Sequence, residues 1–500
     1  MTASASLVAT VTEEPSAALL DSLADRASIL EVRADLAGDL DPDELRTRFS
    51  GELLYTLRSE AEGGCGPDDR QERARRLAAA AGSYDLVDLE GRDRRDAVAA
   101  VPAAKRLLSW HGRVAGLDDL RAVFQRLAAV ESRYLKLVPA AAAPGEALVP
   151  LELLHDLGRD DVVAFAGGPA GAWTRLVAPG LGSPMIYAAA GETPGAAGQP
   201  RLDRLCDDYG LPGPPQAPEL RGSQKLFGIV GRPAGHSLSP RLHNGLYRRL
   251  GLDGLYVAFE VEQFGDFWIE VAEAGTLGRL GVELRGLTVT APHKEIALAV
   301  AGATSPLAER LGSANTLVRH DDVWEAESTD PDGVVGPLQA RGLEIAGRRA
   351  AVIGAGGAGR AAAFALQRSG ADVAIVNRSP ERGIRAAHRL GVAFLALGVF
   401  DPASFDLVVN ATPLGGGDDG RLAFDPGRLA EGSVVVDMVY RREAPTPLVA
   451  AARKHGLEAV DGREVLLHQA PAQFQAMTGR PMSLAAGAEI LGIGSGEGVG

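Results

Sequence analysis

"RRAAVIGAGGAGRAAAFALQRSGADVAIVNRS", residues 348–379, is the stretch that decides the fold of the second half of this chain. It reads as an apolar strand, a glycine-rich loop, an alanine-rich helix and a second strand. The GxGxxG spacing lets the backbone turn tightly and approach a pyrophosphate at the helix N-terminus. We therefore predict a Rossmann domain that binds a dinucleotide. The predicted loop contacts are Gly354, Ala355, Gly356, Gly357, Ala358 and Gly359.

The end of the second strand, "AIVNRS", indicates which dinucleotide is bound. An NAD enzyme has an acidic residue here for the ribose hydroxyl, whereas this chain has Asn377 and Arg378. Arg378 and Arg382 suit a 2′-phosphate, so the sequence predicts NADP as the cofactor, with Ser379 in the same loop.

Composition limits the class of protein. A chain of 500 residues exceeds one hydrophobic core, so we expect two or three domains. The net charge of −14 argues against a nucleic-acid partner, which would need a basic face. Cys65 and Cys206 form neither a disulfide framework nor a zinc pattern. The N-terminus does not resemble a signal peptide and no apolar run is long enough for a membrane helix, so we expect a cytoplasmic protein.

A linker rich in proline and glycine divides the chain at 207–225, "DDYGLPGPPQAPELRGSQK". Before it, eight β-rich runs alternate with helix-length segments, as a (β/α)8 TIM-type barrel requires. After it comes a first α/β layer, followed by the Rossmann pattern. The predicted domains are the barrel at 1–210, a linker at 211–224, a substrate domain at 225–335 with 464–492, the Rossmann domain at 336–463, and a tail at 493–500.

Polar residues fall at the carboxyl ends of the predicted barrel strands, where such barrels carry their chemistry. They are Glu31, Arg33, Arg58, Glu90, His111 and Lys136. The lysine is notable because only 5 of the 51 basic residues are lysines, and it lies in the strand "YLKLVP", 134–139. Arginine cannot be deprotonated, whereas a lysine in a dry pocket can become a nucleophile or a proton carrier. We therefore expect Lys136 to be chemically active.

From Leu226 to about Ile493 the chain resembles shikimate dehydrogenase. The matching segments are "GRPAGHSLSPRLHN", "LTVTAPHKE", "GSANTL", "STDPDG", "GAGGAGR", "NATPLG", "DMVY" and "LLHQAPAQF". The resemblance implies that Ser237 and Ser239 hold the substrate carboxylate and that Lys294 and Asp330 form the catalytic pair. It also implies substrate contacts from Thr290, Asn315, Tyr440 and Gln469, with Met438 and Gly462 lining the nicotinamide site.

The chemistry of these residue types agrees with the resemblance. Hydride reduction of a ketone leaves an alkoxide that must be protonated, and a lysine paired with an aspartate can deliver that proton. Two serine hydroxyls and a lysine also suit a carboxylated polyol better than an apolar substrate.

Residues 7 to about 206 resemble type I 3-dehydroquinate dehydratase, through "EVRAD", "LRSEAEGG", "SWHG", "YLKLV", "WTRLVAPGLGS" and "AAGQP". The resemblance implies that Lys136 forms a Schiff base with the substrate ketone and that His111 moves the protons. A protonated imine withdraws electrons and acidifies the neighbouring carbon–hydrogen bond, which allows water to leave. The implied substrate contacts are Glu31, Arg33, Arg58, Glu62, Arg175 and Gln199.

The product of the first reaction, 3-dehydroshikimate, is the substrate of the second, which yields shikimate. The arrangement resembles the bifunctional dehydratase–dehydrogenase of the shikimate pathway that is found in plants. Two alternatives remain open: a quinate dehydrogenase working in the degradative direction, and a non-catalytic metabolite sensor of the same folds. Both serines and Arg378 favour biosynthesis, and the full set of catalytic residue types favours an enzyme.

Several positions depart from the family patterns. Gly195 and Ala197 replace a serine and a proline near Gln199, while Thr288 and Ser328 replace asparagines in the second half. We expect these changes to affect substrate selectivity more than reaction type. The nine histidines lack a metal-binding spacing, so we predict no metal site. His236 is expected to orient the serine loop, and His243 and His468 are expected to be structural.

Overall fold

The computed structural model describes residues 5–93, 95–212 and 224–494. Most of the predicted linker at 211–224 and of the predicted tail at 493–500 lies outside the described residues. The chain divides into two compact units, Met1–Leu226 with Asp253–Leu284, and Phe227–Leu252 with Arg285–Gly500. No helix in the described ranges has both the length and the apolar character of a membrane span.

Eight parallel strands form the core of the first unit, in the order β7-β6-β5-β4-β3-β2-β1-β8. They are β1 (Ser6–Val11), β2 (Ile29–Arg33), β3 (Glu52–Thr56), β4 (Leu86–Glu90), β5 (Arg106–Gly112), β6 (Tyr134–Pro139), β7 (Val162–Ala164) and β8 (Met185–Ala189). The strands form a near-barrel. Hydrogen-bonded ladders connect them in order from β7 to β8, and among the described residues no ladder pairs β7 with β8. The predicted TIM-type fold is thus confirmed.

Helices lie between these strands and after β8. They are α1 (Ala17–Ala24), α2 (Ala34–Ala37), α3 (Pro42–Arg46), α4 (Arg70–Ser83), α5 (Arg95–Ala100), α6 (Leu117–Ala128), α7 (Val149–Leu157), α8 (Thr174–Val177) and α9 (Leu202–Tyr209). On α6 the buried residues Leu120, Val123, Phe124 and Leu127 follow the i, i+3, i+4, i+7 spacing of a helix that packs on a sheet. The Asp69 carboxylate caps α4 by accepting hydrogen bonds from the amides of its first turn.

The next part of the chain mixes strands and helices, with a π-helical turn at Trp268–Ala272. Its elements are β9 (Gln224–Gly231), α10 (Ser239–Leu250), β10 (Leu255–Glu260), α11 (Phe264–Phe267), α12 (Thr276–Arg279), β11 (Val282–Val289), α13 (Lys294–Val300), β12 (Ala303–Thr304), α14 (Pro306–Leu311), β13 (Thr316–His320), β14 (Val323–Glu327) and α15 (Asp330–Ala340). In the second unit β11, β13 and β14 pair antiparallel, and β12 pairs parallel with β14. The elements β10, α11 and α12 belong to the first unit.

The rest of the second unit is a doubly wound parallel sheet in the order β17-β16-β15-β18-β19-β20. Its elements are β15 (Arg349–Ile353), α16 (Gly357–Arg368), β16 (Asp372–Asn377), α17 (Pro380–Leu390), β17 (Ala393–Ala396), β18 (Leu407–Asn410), β19 (Val434–Asp437), α18 (Pro447–Lys454), β20 (Glu458–Val460), α19 (Gly462–Thr478) and α20 (Leu484–Leu491). The strand order reverses between β15 and β18, which is where such sheets bind ligands. The predicted Rossmann fold is confirmed.

The packing of α4 generates a stability prediction. Leu77 is fully buried, so Leu77→Ala should lower the free energy of unfolding by about 2–5 kcal/mol through lost burial and a cavity. Urea titration monitored by tryptophan fluorescence measures this loss. Arg70→Ala, at an exposed position of the same helix, should change the free energy by less than about 0.5 kcal/mol. Equal effects of the two substitutions would contradict the assignment of the apolar face.

Candidate active sites

Lys136 lies on β6 with its ammonium group inside the near-barrel, and only 5% of the residue is exposed. Its Nζ is 3.8 Å from Asp88 Oδ2, 3.9 Å from Glu31 Oε1 and 4.0 Å from the centre of the Tyr187 ring. Burial lowers the pKa of Lys136, and the two carboxylates offset only part of that effect. The group is therefore easier to deprotonate than an ordinary lysine.

Both carboxylates near Lys136 are themselves held in place. Asp88 accepts hydrogen bonds from Ser109 Oγ at 2.5 Å and from Arg58 Nη2 at 2.6 Å. Burial would raise the pKa of Asp88, but Arg58 and Lys136 keep it below its usual value, so Asp88 stays ionised.

Glu31 is fixed by two threonines from the neighbouring strands. Thr10 donates to Oε2 at 2.6 Å and Thr56 donates to Oε1 at 2.8 Å. Gln199 reaches the same network by donating to Thr10 Oγ1 at 2.9 Å. The carboxylate of Glu31 is thus oriented before any substrate arrives.

His111 on β5 is paired with Glu62. One oxygen of Glu62 lies 3.0 Å from the backbone nitrogen of His111 and 3.0 Å from its Nδ1. Burial, with Glu90 and Asp88 nearby, raises the pKa of Glu62 to about 8 against the opposing effect of Arg58. Burial and the surrounding cations hold the pKa of His111 well below its usual range, so its imidazole is neutral.

The departure at Gly195 has a steric explanation. Its amide donates to Gln199 Oε1 at 2.8 Å, and its carbonyl accepts from Arg33 Nη1. A Cβ added at this position would lie 2.9 Å from Thr10 Cγ2 and 3.2 Å from Arg33 Nη1. Arg33 is also held by Asp35, which accepts from its Nε and Nη2 at 2.8 and 2.7 Å. Glycine therefore suits the close packing of this loop.

Arg175, at the start of α8, is a buried cation with spare hydrogen-bonding capacity. It is 4% exposed, its guanidinium lies 4.2 Å from the centre of the Phe165 ring, and its Nε has no hydrogen-bond partner within the described ranges. Burial lowers the pKa of Arg175 to about 10. A buried guanidinium in this condition is suited to bind a carboxylate.

In the second unit, Lys294 and Asp330 form a close pair at the starts of α13 and α15. Lys294 Nζ donates to Asp330 Oδ2 at 2.5 Å, and Asn315 Nδ2 donates to the other oxygen of Asp330 at 2.9 Å. The lysine side chain is 15% exposed and that of the aspartate 5%, so the pair faces a partly open space. Thr290 lies just before this group, where its carbonyl accepts from the amide of His293 at 2.9 Å.

A second group surrounds the serine loop. Tyr440 Oη accepts from the amide of Leu238 at 3.2 Å and lies 3.5 Å from Ser237 Oγ. Arg442 Nη1 donates to the carbonyl of Ser237 at 2.7 Å, and Ser239 is buried with its amide donating to Ser237 Oγ at 3.0 Å. The loop is therefore fixed by Tyr440 and Arg442.

The glycine loop has the shape that a pyrophosphate needs. Gly354 has φ of 118°, and a Cβ at Gly359 would collide with the Gly354 carbonyl oxygen. A Cβ at Gly357 would lie 3.1 Å from Lys294 Cβ, so the loop adjoins the lysine. These close approaches, at the N-terminus of the twelve-residue α16, fit a bound dinucleotide.

Ala355 of this loop lines a cavity of about 640 Å³ whose wall carries several basic residues and one carboxylate, Glu295. Its wall includes Ala355 and Arg382 with three further basic residues of α17. Asn377 Nδ2 donates to the Ser379 carbonyl at 2.8 Å, and Arg378 is exposed beside it. The arrangement fits the phosphate-bearing ribose of NADP.

Met438 and Gly462 lie at the carboxyl end of the Rossmann sheet. A Cβ at Gly462 would collide with the carbonyl oxygen of Val439. The buried Asp437 fixes this corner by accepting from Asn410 Nδ2 at 2.9 Å and from Thr446 Oγ1 at 2.6 Å. Gln469 lies on α19, close to α15. A Cβ added at Gly333 of α15 would be 3.2 Å from the Cβ of Gln469.

The sequence reasoning missed several residues that hold these groups. Asp88, Ser109, Tyr187, Asp437 and Arg442 were not predicted. Asp88 had a signal, because it lies two residues before Glu90 on β4 and so faces the same side of the strand. Ser109 had the same signal, because it lies two residues before His111 on β5. The remaining three depend on contacts between distant segments.

The predicted roles of the histidines stay predictions. His236 is exposed, whereas His243 is buried and its ring lies 5.8 Å from that of Phe474. Burial lowers the pKa of His243 to about 3. Among the described residues, no group of three or more potential ligands could hold a metal ion.

Comparison with known families gives three matches, two of which are the expected families in the expected order. Residues 5–213 match type I 3-dehydroquinase, and residues 229–317 match the substrate binding domain of shikimate dehydrogenase. Residues 349–424 also match an FAD binding domain, a resemblance that covers the pyrophosphate loop common to dinucleotide folds.

Individual relatives cover the second half. The chain is 42% identical over 262 residues to "Shikimate dehydrogenase (NADP(+))" of Acidiphilium cryptum, spanning 52% of this chain and 92% of that protein. The corresponding protein of Rubrobacter xylanophilus is 38% identical over 271 residues, spanning 52% of this chain and 93% of that protein.

Two solved structures are also similar. Shikimate 5-dehydrogenase of Thermus thermophilus, in complex with NADP(H) and shikimate, is 32% identical with a TM-score of 0.48, covering 54% of this chain and 98% of that chain. The dehydroquinate dehydratase and shikimate dehydrogenase from S. pombe AroM is 23% identical with a TM-score of 0.43 and covers 98% of both chains.

The glycine loop generates a prediction about cofactor affinity. Gly359→Ala should weaken NADPH binding at least about 10-fold, because its Cβ collides with the Gly354 carbonyl and distorts the pyrophosphate cradle. Fluorescence titration of NADPH measures the change. Gly370→Ala, at a glycine outside the loop that has a positive φ, serves as a control for general backbone strain. Equal NADPH affinity in wild type and Gly359→Ala would contradict the predicted cradle.

Proposed function

We propose that this chain performs two consecutive reactions. It belongs to the shikimate dehydrogenase family and also carries a type I 3-dehydroquinase domain. The first reaction is dehydration of 3-dehydroquinate to 3-dehydroshikimate, and the second is NADPH-dependent reduction of that product to shikimate. The observation that carries the proposal is the buried Lys136, which lies between two carboxylates in the domain that matches the dehydratase family.

In the first reaction, the neutral amine of Lys136 attacks the substrate ketone, and loss of water gives a protonated imine. His111 removes a proton from the neighbouring carbon, and the electron pair forms a double bond as the β-hydroxyl leaves. His111 returns its proton to that hydroxyl, which departs as water. Hydrolysis of the imine then releases the product and restores Lys136.

The substrate contacts of the dehydratase follow from charge and position. Arg175 is the proposed carboxylate partner, since its Nε has no hydrogen-bond partner in the described part of the chain. The carboxylates of Glu31 and Asp88 stabilise the protonated imine. The remaining proposed contacts to substrate hydroxyls are Arg33, Arg58, Glu62 and Gln199.

In the second reaction, bound NADPH supplies a hydride to the ketone carbon. Lys294 protonates the resulting alkoxide, and Asp330 keeps the lysine oriented at 2.5 Å. Ser237 and Ser239 bind the carboxylate, while Thr290, Asn315, Tyr440 and Gln469 bind the hydroxyls. Met438 and Gly462 shape the nicotinamide end of the cofactor site, and residues 354–359 with Asn377, Arg378, Ser379 and Arg382 hold the phosphates.

The proposed domain boundaries assign these roles to separate parts of the chain. The barrel takes 1–210, the dehydrogenase substrate domain 225–335 with 464–492, and the cofactor domain 336–463. The strand order and the glycine loop support the separation into barrel, substrate and cofactor domains, although residues 253–284 pack with the barrel.

A coupled assay tests both activities at once. Purified full-length protein given 3-dehydroquinate and NADPH should oxidise NADPH with no other enzyme present. Lys136→Arg should abolish this reaction, at least about 10³-fold, because arginine keeps the charge but cannot form an imine. The same variant should still reduce supplied 3-dehydroshikimate.

Three further measurements sharpen the assay. Borohydride added with 3-dehydroquinate should trap the substrate covalently on Lys136, detectable by peptide mass spectrometry. Lys294→Ala should remove reduction while leaving dehydration intact, and Lys454→Ala, at an exposed lysine, should change neither activity. An active Lys136→Arg variant would refute the imine mechanism.

The Glu62 pair generates a pH prediction. Below about pH 8 Glu62 carries a proton and donates it to His111 Nδ1, which leaves the hydrogen on Nε2 and removes the base. Above that pH the carboxylate accepts Nδ1–H and frees Nε2, so kcat/KM for dehydration should rise through about pH 8. Glu62→Gln should lose this rising limb in a pH–rate profile. If Glu62→Gln still shows the rise of kcat/KM at the same pH, the titrating group is not Glu62.

A further inference from the structure

The segment Asp253–Leu284 packs with the barrel in one compact unit, although its sequence lies inside the match to the dehydrogenase substrate domain. We propose that this segment is a positioning element of the dehydratase, holding the loops after β6 and β7 so that Arg175 meets the substrate carboxylate. The inference rests on the proposed dehydratase function.

An aromatic contact joins the segment to the loop after β7. The rings of Trp173 and Phe259 have centroids 5.1 Å apart, and Phe259 in turn lies 5.0 Å from Phe267. Trp173 is 3% exposed and Phe259 is 1% exposed, so the contact is dry. Contacts between large buried rings are among the strongest apolar anchors available to a loop.

Trp173 is the residue immediately before α8, which carries Arg175 as its second residue. Thr174 Oγ1 donates to the Gly171 carbonyl at 2.6 Å and accepts from the amide of Ala166 at 2.9 Å. A displacement of Trp173 is therefore transmitted to Arg175 through a short, tightly bonded turn.

A polar contact joins the segment to the loop after β6, the strand that bears Lys136. Glu270 Oε2 accepts from the amide of Gly145 at 2.8 Å, and a Cβ at Gly145 would lie only 2.9 Å from that oxygen. The two barrel loops are also tied to each other, because Gly167 donates to the Pro139 carbonyl at 2.8 Å. Both loops thus meet the same segment.

Loosening these contacts should affect substrate binding rather than imine formation. Lys136 and His111 lie on strands, whereas Arg175 depends on the anchored turn. A bidentate guanidinium contact requires accurate orientation, so loosening the turn weakens carboxylate binding. The defect should therefore appear in KM for 3-dehydroquinate.

The test uses full-length Phe259→Ala. We expect KM for 3-dehydroquinate to rise roughly 10-fold while kcat changes less than about 2-fold. The reason is that the lost carboxylate contact binds the ground state and the transition state equally. Borohydride capture on Lys136 should remain complete at saturating substrate, and hydrogen exchange of amides 166–177 should accelerate. Phe259→Leu, which keeps an apolar contact with Trp173, should recover most of the affinity.

Ile269→Ala is the matched control, because Ile269 lies on the same segment and is 70% exposed. It should leave KM and hydrogen exchange unchanged. If Phe259→Ala does not fold, Phe259→Val and Glu270→Gln provide smaller perturbations with the same readouts. Unchanged KM and unchanged exchange in the folded variants would overturn the inference.

The same experiment separates the two proposals. Wild-type protein that fails to dehydrate 3-dehydroquinate would refute the proposed function, and hydrogen exchange at 166–177 would still decide the positioning role. An active wild type with variants that lose kcat at unchanged KM would instead refute the positioning role alone.

Discussion

The buried ammonium group of Lys136 is the constraint on which the barrel end depends. Removing a cation from water costs several kcal/mol unless opposite charges are arranged around it. Its two carboxylate neighbours lie 3.8 and 3.9 Å away, longer than good hydrogen bonds, so their compensation is incomplete. The carboxylates thereby stabilise Lys136 in the interior, while its neutral amine form remains easier to reach than that of an ordinary lysine. Each carboxylate needs its own donors, which explains why polar residues recur on neighbouring strands.

The second unit uses a lysine under different physical conditions. Lys294 is the first residue of α13, is partly exposed, and contacts Asp330 at 2.5 Å. Lys294 lies within hydrogen-bonding distance of its carboxylate, whereas burial lowers the pKa of Lys136 and its carboxylates lie 3.8 and 3.9 Å away, which suits the proposed nucleophile. The two lysines therefore differ in burial and in the distance to their carboxylates, as their different proposed roles require. The scarcity of lysine among 51 basic residues fits this specialisation.

Sequence reasoning predicted the elements whose signals are local. The glycine spacing, the apolar strands and the residues at strand ends are local patterns, and they correspond to the observed sheets. Glu31 was predicted at the same end of the barrel strands as Lys136, but the contact of Lys136 with Asp88 was not, because it depends on how β4, β5 and β6 align. The sequence showed only that Gly195 replaces the serine of the family pattern. In the structure a Cβ at this position would lie 2.9 Å from Thr10 Cγ2, so the loop packs closely around the glycine.

The segment Asp253–Leu284 illustrates a further limit of reading domains from sequence. Family resemblance assigns a residue according to ancestry, whereas stability depends on what the residue packs against. Phe259 and Glu270 belong by resemblance to the dehydrogenase, yet their contacts are with Trp173 and Gly145 of the barrel. Because loops are less constrained than strands, barrel loops that carry binding residues gain most from such external support. The dehydratase half is therefore not a self-contained structural unit, even though its family match ends at residue 213.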